Sequence, residues 1–291
     1  MKILITGANG SIGSDLVNFF SKENKVYGVY RTLNDTIRKI KNKNIIWIKH
    51  DIKKKLNLKS KIDILIHCAV VHPFSKKKNY GDYVDTNIIG LKNIIEFSNK
   101  KKIKIFLYLS SVKIYGDIKD KVLKDSNTFT NPSILGATKI LSEKMLEMQN
   151  FNYLSIRLPG VVSYFNTDKR RPWINNVIYK LINNKKIDIY NPNSLFNNVI
   201  DTLEIFKFID FISKKKVKKD TLNLSATKTI KVKNLIYFLK KKFLSKSKIN
   251  LKKNKTINFI ISTSKVNKNY GFKPSSTLEI INRYIFKKFN V

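Results

Sequence analysis

The sequence predicts an α/β protein, namely a doubly wound parallel sheet followed by a small C-terminal α/β lobe. Two observations indicate this class. Over the first 160 of the 291 residues, short apolar segments alternate with longer amphipathic ones. The apolar segments are mostly continuous, which is typical of strands covered on both faces of a parallel sheet. Strand–helix alternation of this kind favours right-handed crossover connections.

The predicted strands are rich in Ile, Val, Leu and aromatic residues, and the predicted helices between them carry apolar residues at helical spacing. The strands are Lys2–Thr6, Lys25–Tyr30, Ile45–Ile48, Asp63–Cys68, Ile103–Leu109 and Tyr153–Arg157. The helices are Ser11–Ser21, Thr32–Lys41, Tyr83–Lys100 and Ser133–Met148.

The pattern is looser after Pro159. It predicts a short strand over Thr221–Leu224. It predicts helices over Trp173–Ile182, Thr202–Ser213, Val232–Phe243 and Leu278–Phe286. No linker rich in Gly, Ser or Pro separates the two halves. We therefore expect a first domain over residues 1–160 and a lobe over residues 161–291, with some segments of the lobe packing back on the first domain.

Composition excludes several classes of protein. Hydrophobic residues make up 42% of the chain and aromatic residues 11%, so we expect a folded chain rather than intrinsic disorder. No apolar segment approaches the ~18 residues of a membrane helix. The single cysteine, Cys68, excludes an intramolecular disulfide and a cysteine metal cluster. No histidine lies at metal-ligand spacing with carboxylates. We expect a cytoplasmic protein with no metal and no membrane partner.

The chain is strongly basic, with Lys+Arg 58 against Asp+Glu 20 and a formal net charge of +38. Such a charge attracts polyanions. However, the lysines form short runs scattered along the chain, and arginines that could read bases are few. Asn, Ile, Phe and Tyr are also abundant, and all share AT-rich codons with lysine. We therefore attribute the lysine excess to genomic bias and expect no nucleic-acid partner.

The strongest local signal lies between the first strand and the first helix. It reads Thr6-Gly7-Ala8-Asn9-Gly10-Ser11-Ile12-Gly13. In this context Gly7 permits a tight turn, Gly10 leaves room for a pyrophosphate, and Gly13 lets helix and strand pack closely. Unpaired amides at the helix start then face the anion. The loop predicts a Rossmann-type dinucleotide-binding domain rather than a glycine turn without a ligand.

The end of the second strand distinguishes the two nicotinamide cofactors. NAD sites have an acidic residue there, which binds the ribose hydroxyls. Here Arg31 follows Tyr30, and a guanidinium pairs with a 2′-phosphate. NADP(H) is therefore favoured over NAD(H). Further along, Asp51 suits the adenine amino group, although an ordinary turn aspartate fits the spacing equally well.

Taken together, these motifs resemble the extended short-chain dehydrogenase/reductase family, the NAD(P)-dependent sugar epimerases and dehydratases. The glycine loop looks like the family's Thr-Gly-x-x-Gly-x-x-Gly. Six further segments match family motifs in the family order and extend the resemblance over nearly the whole chain. They are Ile64–Ala69, Asn87–Asn93, Ser110–Gly116, Arg157–Val161, Phe196–Asp201 and Tyr270–Pro274.

The resemblance implies a nucleotide-linked sugar as substrate, with epimerisation, dehydration or ketone reduction as the reaction, and Ser111 and Lys139 as catalytic residues. Together with the glycine loop, it places the cofactor against one set of residues: Gly7, Asn9, Gly10, Ser11, Ile12, Gly13, Arg31, Asp51, Ile52, Cys68, Ala69, Val70, Asn87, Leu109, Lys139 and Pro159. Cations suited to the substrate's diphosphate are Arg157, Arg170, Arg171 and Lys180.

Family members often form homodimers through the helices that carry the Asn-x-x-Gly and Tyr-x-x-x-Lys segments. The candidate contact residues in this chain are Ile88, Leu91, Ile95, Ile140 and Leu141. The same residues fit a buried core equally well.

One departure from the family pattern concerns the chemistry. Leu135 stands where the family has the tyrosine of Tyr-x-x-x-Lys, while Lys139 is retained. By resemblance, the tyrosine exchanges the substrate hydroxyl proton while hydride moves to or from the nicotinamide. The lysine lowers the phenol's pKa and binds the nicotinamide ribose, and the serine hydrogen-bonds the reacting oxygen. Loss of such acid–base assistance typically costs about 10²–10⁴-fold in rate.

Three accounts of Leu135 stay open. Another group takes over proton transfer, as in some sugar dehydratases of this superfamily that also lack the tyrosine. The candidates are Lys113, Tyr115, Ser133 and a water near Lys139. Alternatively, the chain binds NAD(P)(H) as a catalytically silent regulatory or partner subunit. In the third account, the substrate needs little proton transfer at that site.

Overall fold

The computed structural model of the chain describes residues 1–73, 79–165, 172–252 and 258–291. Within them the chain forms two compact units. Unit 1 consists of Met1–Asp117, Thr128–Leu158 and Phe206–Leu222. Unit 2 consists of Ile118–Asn127, Pro159–Ile205 and Asn223–Val291.

The strands and helices are given in chain order. The strands are β1 (Lys2–Thr6), β2 (Lys25–Tyr30), β3 (Ile45–Lys49), β4 (Ile64–His67), β5 (Ile105–Ser111), β6 (Val122–Leu123), β7 (Tyr153–Leu158), β8 (Gly160–Val162), β9 (Ile187–Tyr190), β10 (Leu195–Phe196), β11 (Val199–Asp201), β12 (Asp220–Asn223), β13 (Ile230–Lys231), β14 (Ile249–Lys252) and β15 (Ile260–Ile261). The helices are α1 (Ser11–Phe20), α2 (Asp35–Lys39), α3 (Tyr80–Tyr83), α4 (Gly90–Lys101), α5 (Ile134–Glu147), α6 (Trp173–Ile182), α7 (Thr202–Ser213), α8 (Val232–Lys242), α9 (Ser264–Tyr270) and α10 (Thr277–Phe289).

Seven strands form the central sheet in the order β12-β7-β5-β4-β1-β2-β3. The six neighbouring strands β7, β5, β4, β1, β2 and β3 all pair in parallel. All six residues of β7 are buried, as are the first six of β5. This burial explains the continuous apolar segments in the sequence, and it confirms the predicted doubly wound parallel sheet. The strand order reverses between β1 and β4, so the carboxyl ends of these two strands flank the switch point where ligands of such sheets bind.

The predicted helix over Tyr83–Lys100 is wrong in its start and its regularity. Helix α3 begins earlier, because Asn79 and Asp82 form a capping box in which each side chain accepts from the other's backbone N–H. A π-helical segment, Val84–Ile89, then connects α3 to α4. Single π turns of this kind often occur at functional sites. The apolar period alone did not reveal this irregularity.

The predicted helix over Thr32–Lys41 is also wrong in its extent, since α2 spans only Asp35–Lys39. The reason lies at its start. The carbonyl oxygen of Thr32 accepts a hydrogen bond from Asn9 Nδ2 at 2.6 Å, so this residue belongs to the turn after β2.

Unit 2 contains short two-stranded sheets and several helices. Strand β8 pairs in parallel with β11, β14 with β9, and β15 with β6, whereas β10 and β13 are antiparallel. Helix α10 is held by Arg283, whose Nε and Nη2 donate to the two carboxylate oxygens of Asp201 at 2.8 and 2.9 Å. The same Nη2 donates to Glu204 at 2.7 Å. The sequence did not predict these pairs of short strands, whereas the short strand predicted over Thr221–Leu224 corresponds to β12 of the central sheet.

Candidate active site and cofactor site

The glycine loop connects β1 to α1 at the carboxyl edge of the sheet. Gly7 has φ of +65°, and a Cβ there would lie 2.7 Å from the backbone nitrogen of Ala69. A Cβ on Gly13 would lie 2.2 Å from the carbonyl oxygen of Gly7. Because only glycine fits these two positions, the loop packs directly against the end of β4 and the first turn of α1.

The start of α1 has the features of an anion site. Gly10 precedes the helix without a side-chain cap, and the first turn, which includes Ser11 and Ile12, has no acidic residue. The first amides therefore retain their capacity to donate to a negatively charged ligand.

A second loop lies beside the glycine loop. Asn9 Nδ2 donates to the carbonyl of Thr32, and Asn34 Nδ2 donates to the carbonyl of Asn9 at 3.1 Å. These bonds bring Arg31, which is exposed, to the same edge as the glycine loop. The Asn34 Oδ1 atom is buried and has no hydrogen-bond partner in the described part of the chain. A buried acceptor without a donor is unfavourable unless a ligand supplies one. Sequence reasoning missed Asn34.

The end of β4 lies against the glycine loop, on the side of Gly7. His67 Nδ1 lies 2.9 Å from Thr6 Oγ1, and its ring stacks on Tyr108. Burial, with a smaller effect of the Lys139 charge, lowers the pKa of His67 to about 3, so the ring is neutral. Cys68 and Ala69 are half-buried and Val70 is exposed. Burial raises the pKa of the Cys68 thiol to about 12, so the thiol is not ionised at neutral pH.

Lys139 lies on α5 and reaches the carboxyl end of β5. Its Nζ donates to the carbonyl oxygen of Leu109 at 2.7 Å and lies 4.4 Å from the ring centroid of Tyr108. Burial lowers the pKa of Lys139 to about 8, while the carboxylate of Glu143 acts in the opposite direction. The ammonium is therefore charged at neutral pH, with a pKa set by the balance between burial and the carboxylate of Glu143.

Ser111 is the last residue of β5, two residues beyond Leu109. Alternate strand residues share a face, so the side chains of Leu109 and Ser111 lie on the same face of β5. The carbonyl of Leu109 is the group that binds Lys139. The Ser111 Oγ accepts from the backbone N–H of Lys113 at 3.2 Å, which caps the 3₁₀ turn Val112–Tyr115. Its own proton can still be donated to a ligand oxygen.

A buried ion pair lies beneath this site, and it corrects one expectation. Arg157 donates from Nη2 and Nε to Glu143 at 2.7 and 3.2 Å, and from Nη1 to the Tyr115 hydroxyl at 2.8 Å. Ser110 donates to Glu143 at 2.5 Å. Arg157 therefore belongs to the interior of unit 1, so the expectation that it contacts the substrate's diphosphate is wrong. Sequence reasoning missed Glu143, although it follows Lys139 by one helical turn.

Position 135 is apolar and nearly buried. Leu135 is 4% exposed and packs in one cluster with Val71 and Tyr83. Of the predicted substitutes for the missing phenol, Ser133 accepts from Gly136 N at 3.4 Å as the N-cap of α5, and Lys113 is exposed. Tyr115, as described above, is bound by Arg157.

The remaining predicted residues have these positions. Ile52 is buried in the core of unit 1, and Asp51 accepts from the backbone of Lys53 in a turn. Asn87 is buried between the loop after β4 and α5, where it binds Val71 and Thr138.

Pro159 directly follows β7. Lys180 lies on α6 of unit 2. Arg170 and Arg171 lie outside the described residues.

The predicted dimer residues divide into two groups. Leu91 and Ile95 are buried core residues, so they are unavailable to a second copy of the chain. Ile88 and Ile140 are half-buried, and Leu141 is 49% exposed.

Two absences hold for the described part of the chain. No group of three or more His, Cys, Asp or Glu side chains there could hold a metal ion. No helix there is both long and apolar enough to cross a membrane.

One family model and several known proteins are similar to this chain. The family model "NAD dependent epimerase/dehydratase family" matches residues 3–224. Protein CapI of Staphylococcus aureus is 28% identical over 237 residues, which cover 74% of this chain and 70% of that protein. A dTDP-D-glucose 4,6-dehydratase of Dictyostelium discoideum is 28% identical over 241 residues, which cover 74% of this chain but only 56% of that protein.

Solved structures match over almost the whole chain. A UDP-glucose 4-epimerase from Thermotoga maritima with UDP-glucose superposes with a TM-score of 0.81 at 18% identity, covering 100% of this chain and 99% of that one. A UDP-glucuronic acid 4-epimerase from Bacillus cereus with UDP-glucuronic acid and NAD gives a TM-score of 0.81 at 20% identity, covering 100% of both chains. At such identities these structures show a shared fold.

Proposed function

This chain belongs to the NAD dependent epimerase/dehydratase family, and from that premise we propose that it is an enzyme acting on a nucleotide-linked sugar. The observation that carries the proposal is the joint presence of the glycine loop and of a buried Lys139 at the carboxyl edge of one parallel sheet. UDP-sugars are the first substrates to test, because solved relatives of the same fold contain them.

The residues present in unit 1 fit a nicotinamide dinucleotide. The amides at the start of α1 would bind the pyrophosphate, and the buried Asn34 Oδ1 would accept from a hydroxyl or amino group of the cofactor. When bound, the nicotinamide supplies the hydride chemistry that sugar oxidation and reduction require. We propose that residues 1–160 hold the cofactor and that residues 161–291 mainly form the substrate lobe.

Arg31 supports NADP(H) over NAD(H). Its guanidinium is exposed beside the glycine loop and is suited to a 2′-phosphate. Arg31→Ala should weaken NADPH binding roughly 10-fold, the order expected for one charge-assisted contact, and leave NADH binding within about 2-fold. Calorimetric titration of both cofactors into both proteins measures this. Equal losses for NADPH and NADH would show that Arg31 does not recognise the phosphate.

Lys139 and Ser111 have separate roles in the proposed site. The Lys139 ammonium places a positive charge at the end of β5 and can bind a ribose hydroxyl of the cofactor. Ser111, whose oxygen already accepts from Lys113 N, donates its proton to the reacting substrate oxygen. Leu135 contributes no proton, so the proton-transfer site differs from the Tyr-x-x-x-Lys arrangement.

The test of the proposed function measures cofactor binding and turnover separately. NADPH and NADH are titrated by calorimetry, and UDP-sugars are assayed with the native chain, Leu135→Tyr and the matched control Leu135→Phe, which adds the ring without the hydroxyl. We expect cofactor binding and turnover by the native chain. Turnover only after Leu135→Tyr would instead establish a catalytically silent NAD(P)-binding subunit. Absence of cofactor binding at millimolar concentration would refute the dinucleotide site.

A further inference from the structure

We propose that the phenol of Tyr83 exchanges the substrate proton that position 135 cannot. The inference rests on the proposed function and names the group that completes its chemistry. It starts from the composition of the small cluster at the amino-terminal end of α5, in which Tyr83 and Leu135 pack together with Val71. A phenol from α3 thus lies against the position from which the phenol is missing.

Hydrogen bonds hold this juxtaposition in place. Asn87 Oδ1 accepts from Val71 N at 2.8 Å, and Asn87 Nδ2 donates to Thr138 Oγ1 at 3.0 Å. Thr138 Oγ1 in turn donates to the carbonyl of Leu135 at 3.0 Å. The bonds join the loop after β4, the π-helical segment and α5.

The sequence spacing along both helices explains why Tyr83 meets Leu135. Tyr83 precedes Asn87 by four residues, and Leu135 precedes Thr138 by three, so each lies about one turn before the bonded pair. Lys139 directly follows Thr138. The network therefore joins the π-helical segment to α5, and with them it fixes the backbone positions of Tyr83, Leu135 and Lys139 on unit 1.

Tyr83 also differs from two other tyrosines near the site in the hydrogen bonding of its hydroxyl. It is 6% exposed, and its hydroxyl makes no hydrogen bond within the part of the chain that the structure describes. Tyr115 is held by Arg157. Tyr108 is bonded to Ser142 and packs under the Lys139 ammonium. The Tyr83 hydroxyl is not among the fully buried atoms that lack a partner, so it is accessible and can exchange a hydrogen bond with a ligand.

The proposed step is the oxidation of a sugar hydroxyl. The O–H bond breaks, its proton moves to the Tyr83 phenolate, and its electron pair forms the second bond of the carbonyl. An oxidised nicotinamide, when bound, would supply the acceptor for the hydride that leaves the same carbon. Ser111 donates a hydrogen bond to the reacting oxygen, and the Lys139 ammonium places a positive charge at the end of β5. Return of a hydride to that carbon and of the proton to its oxygen would reverse the step and regenerate the phenolate.

The experiment compares Tyr83→Phe, which removes one oxygen, with Tyr80→Phe. Tyr80 is 78% exposed and lies on the same short helix, which makes it a matched control. For Tyr83→Phe we expect kcat to fall by about 10²–10⁴-fold. We also expect UDP-glucose to bind roughly 2- to 10-fold more weakly while UDP binds unchanged, because the lost hydrogen bond is to the sugar. Tyr80→Phe should match the native chain in every measurement.

The double variant Tyr83→Phe/Leu135→Tyr provides a rescue, since it restores a phenol at the usual position and should regain turnover. Unchanged kcat and unchanged UDP-glucose binding in Tyr83→Phe would overturn the role of Tyr83 and leave the proposed function intact. If turnover of UDP-glucose is undetectable, the difference between UDP-glucose and UDP binding decides alone. A native chain that binds neither UDP-glucose nor a nicotinamide cofactor would refute the proposed function, and with it this role.

Discussion

Lys139 is a buried cation, and its burial disfavours the charged form of its side chain. Its side chain is inside unit 1 with the carbonyl of Leu109 as its hydrogen-bond acceptor, and burial lowers its pKa from 10.5 to about 8. The residue is therefore held in the ionisation state that burial disfavours at neutral pH. Function, rather than stability, accounts for such a residue.

This pKa shift predicts how stability depends on pH. Below pH 8 the lysine is protonated in both the folded and the unfolded chain. Between about 8 and 10.5 only the unfolded chain binds the proton, so the free energy of unfolding rises with pH. Relative to Lys139→Met, the native chain should gain roughly 2 kcal/mol between pH 7 and 10. Urea titrations at both pH values measure this gain, and the exposed Lys144→Met serves as the control. A constant difference across that range would contradict the shift.

Glu143 neutralises the buried guanidinium of Arg157. The pair lies at 2.7 Å, and both side chains are less than 10% exposed. Glu143→Gln leaves the guanidinium without its counter-charge, which should destabilise the chain by about 3–5 kcal/mol. The matched control, Glu147→Gln, removes an exposed partner of Lys144 on the same helix and should cost less than about 1 kcal/mol. Similar losses for both variants in urea unfolding would show that the Arg157–Glu143 pair is not the stabilising contact.

At the scale of elements, α5 determines the geometry of the site. Its first turn carries Leu135, two residues after the N-cap Ser133, its second carries Thr138 and Lys139, and Glu143 follows one turn later. The π-helical segment packs against this helix, and Asn87 within it binds Thr138. A shift of α5 would therefore displace Lys139 and the cluster around Leu135 together.

A substitution of Ser133, the N-cap of α5, distinguishes a structural role of this residue from a catalytic one. Ser133 was one candidate for proton transfer, but its hydroxyl accepts from Gly136 N. Ser133→Ala should lower the free energy of unfolding by about 1 kcal/mol and leave turnover of a UDP-sugar within about 2-fold of the native rate. Thermal or urea unfolding together with steady-state kinetics tests both parts. If turnover instead slowed by about two orders of magnitude without loss of stability, Ser133 rather than Tyr83 would be the proton-transfer group.

At the scale of the whole molecule, the net charge of +38 is not concentrated at the site. The exposed ion pairs of unit 1 include Arg38–Asp35, Lys92–Glu96 and Lys144–Glu147, and pairs of this kind contribute little to stability. The proposed function uses Arg31 and Lys139. The other lysines provide a positive field that binds anions with little selectivity and is screened by salt.

We also propose that the chain forms a homodimer through the helices flanking the site. Val84, Ile89 and Leu141 are 43%, 41% and 49% exposed on the π-helical segment and α5. Leu141→Glu should convert a dimer of about twice 33.9 kDa into a monomer, because a charge in an apolar interface is not compensated. Light scattering gives the mass, and Tyr237→Glu, an exposed substitution in unit 2, is the control. A native chain that is monomeric at micromolar concentration would refute the dimer.

Much of the fold was readable from the sequence alone. Continuous apolar strands, a helical period between them and glycines at fixed spacing are local signals, and they determined the parallel sheet, most of its strands and the position of the glycine loop. The family expected from the motifs is confirmed by the family model over residues 3–224. Leu135 was visible as an exception because it interrupts a motif of fixed spacing.

Tertiary structure alone decided how side chains distant in the sequence meet. Arg157 looked like a free cation, but burial against Glu143 commits it to the interior. Tyr83 and Leu135, 52 positions apart in the chain, share one cluster because Asn87 and Thr138 join their helices. Spacing within one helix or strand is set by backbone geometry and can be read from sequence. Contacts between elements depend on packing and on which polar groups find partners, and no local pattern encodes these.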